Sequence, residues 1–162
     1  MGKLKNIKTL PLEMALTLAS NSKIQKLLYI DTPSALEEEL TNSIDLIAEG
    51  YIRTEVYSES GIQNYTKNTL LVISIDSIVL STTSVSGEIL IVTADETSLL
   101  ENNKSRLLEL ADEIITSLDL QKFSGAGELR ISSIRNITLS QFKTGYAIQF
   151  SCQDQPHRKA EL

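Results

Sequence analysis

Apolar residues recur with helical spacing in two stretches near the N-terminus of the chain. The stretches 12–19 and 24–28 both place apolar side chains three or four positions apart, which is the spacing of one helix face. The pattern therefore predicts two helices that meet near Asn21 and Ser22, with the Ser22 hydroxyl capping the second helix.

A start signal for a third, short helix follows at Thr32 and Pro33. A threonine hydroxyl accepts a bond from an otherwise unbonded amide at a helix start, and proline is favoured in the first helical turn. We expect this helix to end at about Leu40. Its glutamates at 37–39 are favourably placed near a helix N-terminus and are interpreted as a solvated face.

Two β-branched apolar runs, 70–75 and 88–93, are separated by a polar segment that can reverse the chain. They predict a pair of antiparallel strands. The strongest helical pattern comes next, over residues 103–118, with acidic residues on its polar side. The apolar face of this helix consists of Leu107, Leu110, Ala111, Ile114, Ile115 and Leu118, and its solvated side of Glu109, Asp112 and Glu113.

The C-terminal third of the chain predicts two more strands. Gly125 and Gly127 supply a turn before the first of them, whose alternation slips in a way that predicts a bulge at 132–134. The last strand alternates cleanly, and its apolar face carries Tyr146, Ile148, Phe150 and Cys152. We therefore predict an α+β fold in which an antiparallel sheet of four or five strands is covered by helices on one face.

The segment 41–68 has little periodicity, and its many polar residues predict a long arm or loop that is loose in the free subunit. A short strand is possible over 51–57. A loop of this length in a compact domain is usually functional, so we interpret the arm as a surface that a partner orders. Its candidate interface residues are Ile44, Leu46, Ile47, Tyr51, Ile52, Val56 and Tyr57.

Length and composition predict one domain over residues 1–162, with a loose tail at 153–162. The formal net charge is −6, with 15 basic and 21 acidic side chains, which disfavours specific binding of nucleic acid. The charge is uneven, because residues 31–60 hold eight carboxylates and only Arg53 as a base. Glu13 interrupts the one stretch that could pass for a signal peptide, so we expect a protein that is neither secreted nor membrane-bound.

The residues that usually carry catalysis or bind metals are scarce. The chain has one cysteine, Cys152, on an apolar strand face, and one histidine, His157, in the tail. A nucleophilic enzyme needs a nucleophile beside a base, and a zinc site needs several nitrogen or sulfur ligands. We therefore expect no enzyme activity, no catalytic residues, no cofactor and no metal site.

The motifs of the second half, together with those near residue 30, resemble the neck and tail-terminator proteins of tailed bacteriophages. The resemblance covers about half of the chain and rests on a Leu-Tyr pair before a turn, a Gly-rich turn and a final strand that starts with Gly-Tyr. The residues that carry it are Leu28, Tyr29, Asp31, Gly125, Gly127, Leu129, Leu139, Gly145 and Tyr146.

The resemblance implies a structural virion protein that forms a ring, typically a homo-hexamer. Such a ring caps the tail tube, joins the tail to the head connector and lets DNA pass through its lumen. The tail-tube and head-connector proteins are the implied partners, and the neck of the virion, after synthesis in the host cytoplasm, is the implied location. Two alternatives stay open: a head-completion or connector ring, and a small acidic adaptor or inhibitor in the cytosol.

Overall fold

The computed structural model describes residues 7–55, 66–123, 125–140 and 143–153. Within these residues the chain forms three α-helices and six strands. In chain order they are α1 (Leu10–Ala19), α2 (Ser22–Tyr29), β1 (Ile52–Arg53), β2 (Thr69–Val79), β3 (Ser84–Ala94), α3 (Arg106–Leu118), β4 (Lys122–Phe123), β5 (Gly127–Ser140) and β6 (Lys143–Gln153).

The six strands form one sheet in the order β1-β2-β3-β6-β5-β4, curled into a half-barrel. Every neighbouring pair is antiparallel except β1 and β2, which run parallel. The prediction of an antiparallel sheet of four or five strands covered by helices is therefore wrong. The strand β1 lies within the stretch 51–57 that the sequence marks as a possible strand, and its pairing with β2 is a tertiary contact. The strand β4 pairs with the nearby start of β5, and its two residues are too few to show an alternation in the sequence.

The main core lies between the three helices and one face of the sheet. The apolar stripe of α3 is buried there as predicted, and Ile114 and Leu118 are fully covered. The predicted face of the last strand is also confirmed, because Ile148, Phe150 and Cys152 belong to this core and Tyr146 packs against it. A smaller cluster on the other face of the sheet contains Leu70, Val72, Leu90, Val92, Leu139 and Ala147.

Three further predictions can be compared with the structure. The bulge in β5 is confirmed, since the register with β6 shifts between Ile131 and Ser133. The boundary between α1 and α2 is also confirmed. Its cap is not Ser22, however, because the side chain of Asn21 accepts hydrogen bonds from the amides of Lys23 and Ile24.

The predicted third helix is wrong, because residues 32–38 form turns. The amides of Glu37 and Glu38 both bond to the oxygen of Ser34, and regular helical bonding stops there. The preceding carbonyl groups are used elsewhere: the amide of Glu101 donates to Pro33, and Arg106 Nη2 donates to Thr32. The Thr32 oxygen also accepts a turn bond of 3.2 Å from the amide of Ala35, so both oxygens are engaged in bonds other than those that would continue a regular α-helix.

Candidate assembly surfaces

The acidic segment, which comprises residues 31–51, is hydrogen-bonded to the body of the domain where it approaches β1. Asp45 caps a turn by accepting hydrogen bonds from two following amides, and the oxygen of Leu46 accepts bonds from the amides of Tyr51 and Ile52. The Tyr51 oxygen in turn accepts a bond of 2.8 Å from the amide of Leu71 on β2. These bonds bring the chain from residue 45 directly into the first strand of the sheet.

The predicted interface residues are therefore divided. Leu46, Tyr51 and Ile52 are buried in the core of the chain itself, which leaves them little surface for a partner. The looseness of the arm in the free subunit stays a prediction. Ile44 and Ile47 are half-buried against the same core. The other two predicted residues, Val56 and Tyr57, lie outside the described residues.

A groove of about 210 Å³ lies between the end of α2 and the acidic segment. Its lining includes Tyr29, a residue that is 44% exposed and whose ring meets the Tyr51 ring edge-on at a centroid distance of 5.8 Å. The Nζ atom of Lys67 lies 4.3 Å from the centroid of the Tyr51 ring. The lining of the groove is completed by Ile30, Glu38, Glu39, Leu40, Thr41, Asn42 and Ile44.

One carboxylate of the groove is held in place by two hydroxyl groups. Ser34 Oγ and Thr32 Oγ1 donate hydrogen bonds of 2.6 and 2.5 Å to Glu38 Oε1. These bonds, that from Ser34 above all, lower the pKa of Glu38, so this side chain stays charged over a wider pH range. No described residue donates a hydrogen bond to the other oxygen of Glu38, Oε2. The groove therefore presents a fixed negative charge beside an aromatic ring.

The edge of the sheet opposite β1 is formed by β5 and the short β4. β4 pairs only with Gly127 and Glu128 at the start of β5. The amide of Leu129 then donates to the oxygen of Gln121, and that of Ile131 donates to Asp119 Oδ1 at 2.9 Å. Beyond Ile131 no strand among the described residues lies along the outer side of β5.

The free part of this edge can be assigned from the register with β6. Hydrogen bonding alternates along an antiparallel strand, so every second residue directs its N–H and C=O away from the partner. The amide of Leu71 bonds to Tyr51 on the β1 side, away from β3. When this alternation is carried through the registers of β3 and β6, the residues of β5 that face outward after the bulge are Ile134, Asn136 and Thr138. Ile134 is also an exposed apolar side chain. Unpaired backbone groups on a strand of this length form a template for a strand from another chain.

A third exposed feature is the tip of the hairpin between β2 and β3. The consecutive residues Ile78, Val79 and Leu80 are all exposed there. Residues 76–82 are all exposed, so this end of the hairpin presents an apolar patch that is separate from the β5 edge.

On the face of the sheet away from the helices, two carboxylates and an arginine lie close together. Arg135 Nη2 bonds to Glu88 Oε1 at 2.9 Å, across the intervening strand β6. Partial burial raises the pKa of Asp76, Glu88 raises it further, and Arg135 acts in the opposite direction. Within the described residues no group of three or more His, Cys, Asp or Glu side chains is arranged to hold a metal ion.

Cys152 lies where the sequence places it, in the core, and burial raises the pKa of its thiol to about 11. A thiol with this pKa is a poor nucleophile at neutral pH. His157 lies outside the described residues. In α3, Glu113 is not simply solvated as predicted, because it accepts a hydrogen bond from Asn21 and forms an ion pair with Lys23.

The buried Arg106 was missed by the sequence analysis. It is completely covered and donates to four backbone oxygens, those of Leu27, Ile30, Thr32 and Thr97. Burial lowers its pKa, and the nearby Asp31 carboxylate opposes that shift. A signal was available, because this arginine stands four residues before Leu110 on the apolar stripe of α3. Arg106 therefore links segments within the chain and, because it is fully buried, is not part of an assembly surface.

No helix among the described residues is long and apolar enough to cross a membrane. Comparison with curated proteins finds no match, and comparison with solved structures finds none either. A family model named YomW matches residues 21–152, which is most of the chain and includes α2, α3 and nearly the whole sheet. That family is phage-derived, of the SPbeta-like prophage type, and indicates a phage origin. The chain belongs to the YomW family.

Proposed function

We propose that the protein is a structural subunit of a phage virion that forms a ring, caps the tail tube and joins the tail to the head connector. The observation that carries the proposal is the outer edge of β5 at Ile134, Asn136 and Thr138, along which no strand lies in the part of the chain that the structure describes. A subunit whose sheet has a free edge can add a strand from a neighbour, and this mode of pairing supplies main-chain hydrogen bonds without a deep pocket.

A closed ring also requires that each subunit carry two different contact patches. Head-to-tail association uses two different patches on each copy, and it closes when the rotation between copies divides a full turn. The β5 edge lies on one side of this sheet, and the acidic segment with its groove lies on the other side. The phage origin of the family agrees with a virion role.

The test is to incubate the purified protein with the tail-tube protein of the same phage during tube assembly. Negative-stain images are expected to show tubes that stop growing and carry a ring at one end. Tubes of unchanged length with no ring would contradict the proposal. Binding to the head connector, with no effect on the tube, would replace the tail terminator by a head-completion ring.

A matched pair of variants connects this activity to the β5 edge. Asn136→Pro removes the outward N–H group of the edge, whereas Asn136→Ala shortens the side chain but keeps that N–H group. We expect the proline variant to lose tube capping and the alanine variant to retain it, with both variants folded by circular dichroism. Equal capping by the two folded variants would show that the β5 edge is not the contact.

A further inference from the structure

The charges of this chain are separated across its sheet. Residues 31–55 carry seven carboxylates and a single base, Arg53, and they lead into β1 at one end of the strand order. Lys26 and Lys67 reach this region through the Leu36 oxygen and the Tyr51 ring, Arg106 lies near the Asp31 carboxylate, and Lys104 lines a pocket together with Glu37. The region stays negative, and its excess charge is carried by exposed carboxylates.

The opposite end of the strand order has the opposite sign. Residues 120–153 carry four basic side chains and one carboxylate. These bases are Lys122, Arg130, Arg135 and Lys143, and the carboxylate is Glu128. Lys122 and Arg130 are exposed on β4 and β5, beside the free edge of the sheet. The carboxylates of Asp119 and Glu88 also reach this end, through the amide of Ile131 and through Arg135, so only a small positive excess remains. The two ends of the strand order therefore differ in the sign of their charge, and we call them the acidic side and the basic side.

We infer that the acidic side of one copy docks against the basic side of the next copy, so that the ring assembles head to tail through complementary charge. The inference rests on the proposed function, because it names the neighbour of the β5 edge as a second copy of this chain. Opposite potentials on two patches steer encounter and suppress contacts between like patches. Two acidic sides, or two basic sides, repel one another, which disfavours symmetric dimers.

The existing ion pairs do not prevent this docking. Arg130 pairs with Glu128 at 2.6 Å, but the arginine side chain is 61% exposed, and exposed pairs of this kind contribute little to stability. A carboxylate of a neighbouring copy can therefore share the Arg130 guanidinium, which has donors to spare. On the acidic side, Glu37, Glu39 and Glu49 are exposed and have no basic partner among the described residues.

Charge reversal tests the inference with two variants. The acidic-side variant carries Glu37→Lys, Glu39→Lys and Glu49→Lys, and the basic-side variant carries Lys122→Glu and Arg130→Glu. Each variant has two sides of the same sign, so neither is expected to self-associate. A mixture of the two restores an opposite-sign contact at every interface, and we expect it to form complexes in which the two variants alternate.

Sedimentation velocity at low ionic strength measures the outcome. The wild-type chain is expected to self-associate, with an association constant that falls as salt is raised because screening weakens the contact. Each single variant is expected to lose self-association by about ten-fold or more, and the equimolar mixture to recover it. The control Lys8→Glu with Lys23→Glu changes the net charge as much as the basic-side variant does, at exposed positions outside the acidic side, β4 and β5, and is expected to associate like the wild type.

The two proposals fail in different ways. If the wild-type chain caps tubes while the charge variants cap and associate as it does, the docking inference is wrong and the proposed function stands. If the wild type and the mixture associate as described but tubes grow unchecked, the docking inference stands and the proposed function is wrong. A wild type and a mixture that both remain monomeric at low salt would overturn the docking inference.

Discussion

The guanidinium of Arg106 donates a hydrogen bond of 2.7 Å from Nη1 to the backbone oxygen of Leu27, which lies 79 residues earlier in the chain. Leu27 is in the last turn of α2, where carbonyl groups lack partners within the helix. The same side chain reaches Ile30, Thr32 and Thr97. One arginine therefore joins the end of α2, the following turn and the segment before α3.

Replacing this arginine tests how much its four hydrogen bonds contribute to the stability of the fold. Arg106→Leu keeps an apolar volume but leaves four buried or half-buried carbonyl oxygens without their donor, so we expect the free energy of unfolding to fall by about 3–5 kcal/mol. Arg106→Lys retains a charge with fewer donors and should lose less. Urea denaturation measures both, and a loss below about 1 kcal/mol for the leucine variant would contradict the assigned role.

Ile114 is the most direct test of how α3 packs on the sheet. Its side chain is fully buried, so Ile114→Ala is expected to cost about 2–5 kcal/mol of unfolding free energy through lost burial and the remaining cavity. Leu108 on the exposed side of the same helix is the control, and Leu108→Ala should stay within about 0.5 kcal/mol of the wild type. Similar losses for the two variants would be incompatible with this packing.

The pair Asp76 and Glu88 predicts a dependence of stability on pH. Because burial and Glu88 raise the pKa of Asp76, the folded chain binds this proton more tightly than the unfolded chain does. The carboxyl group therefore opposes folding once the pH exceeds its unfolded value of about 3.9, and reaches its full effect above the raised folded value.

Asp76→Asn removes the titrating group. We expect the asparagine variant to be more stable than the wild type at pH 7 and to lose that advantage near pH 3, where the wild-type carboxyl is protonated in both states. The advantage should shrink in a Glu88→Gln background, because the charge that contributes to the raised pKa is then missing. Thermal unfolding across this pH range is the measurement, and an asparagine variant less stable at pH 7 would refute the assignment.

Cys152 should react slowly with thiol reagents while the chain is folded. Raising its pKa from 9.0 to about 11 reduces the thiolate fraction near pH 8 by about 100-fold, and burial also blocks access. The expected result is little labelling by a chromogenic disulfide reagent in buffer and complete labelling in denaturant. Equal rates in the two solutions would place the thiol on the surface.

The regular elements were predictable because their patterns are local. The stripe of α3, the pairing of β2 with β3 and the alternation of β6 follow from side-chain periods that the sequence displays directly. Even the bulge near Ser133 is visible as a break in that alternation. The strand β1 is different, because its two residues pair with Leu71 and Val72 through a tertiary contact.

The candidate surfaces were predictable only in part. The acidic block around Glu38 is evident in the composition, and its apolar residues suggest contacts. Composition does not tell whether the partner of such a residue is the chain itself, and Leu46 and Ile52 pack into the chain's own core. The basic side could not be foreseen, because Lys122 and Arg130 become neighbours of a free edge only through the strand order.

The helix α1 lies before residue 21, where the match to the YomW family begins, yet Leu10, Met14 and Leu18 are completely covered by the rest of the chain. At the other end the match stops at Cys152, one residue before β6 ends. A fragment cut to the limits of the match would keep the sheet but strip the core of an entire helix. The core of this domain therefore extends further toward the N-terminus than the region of family resemblance.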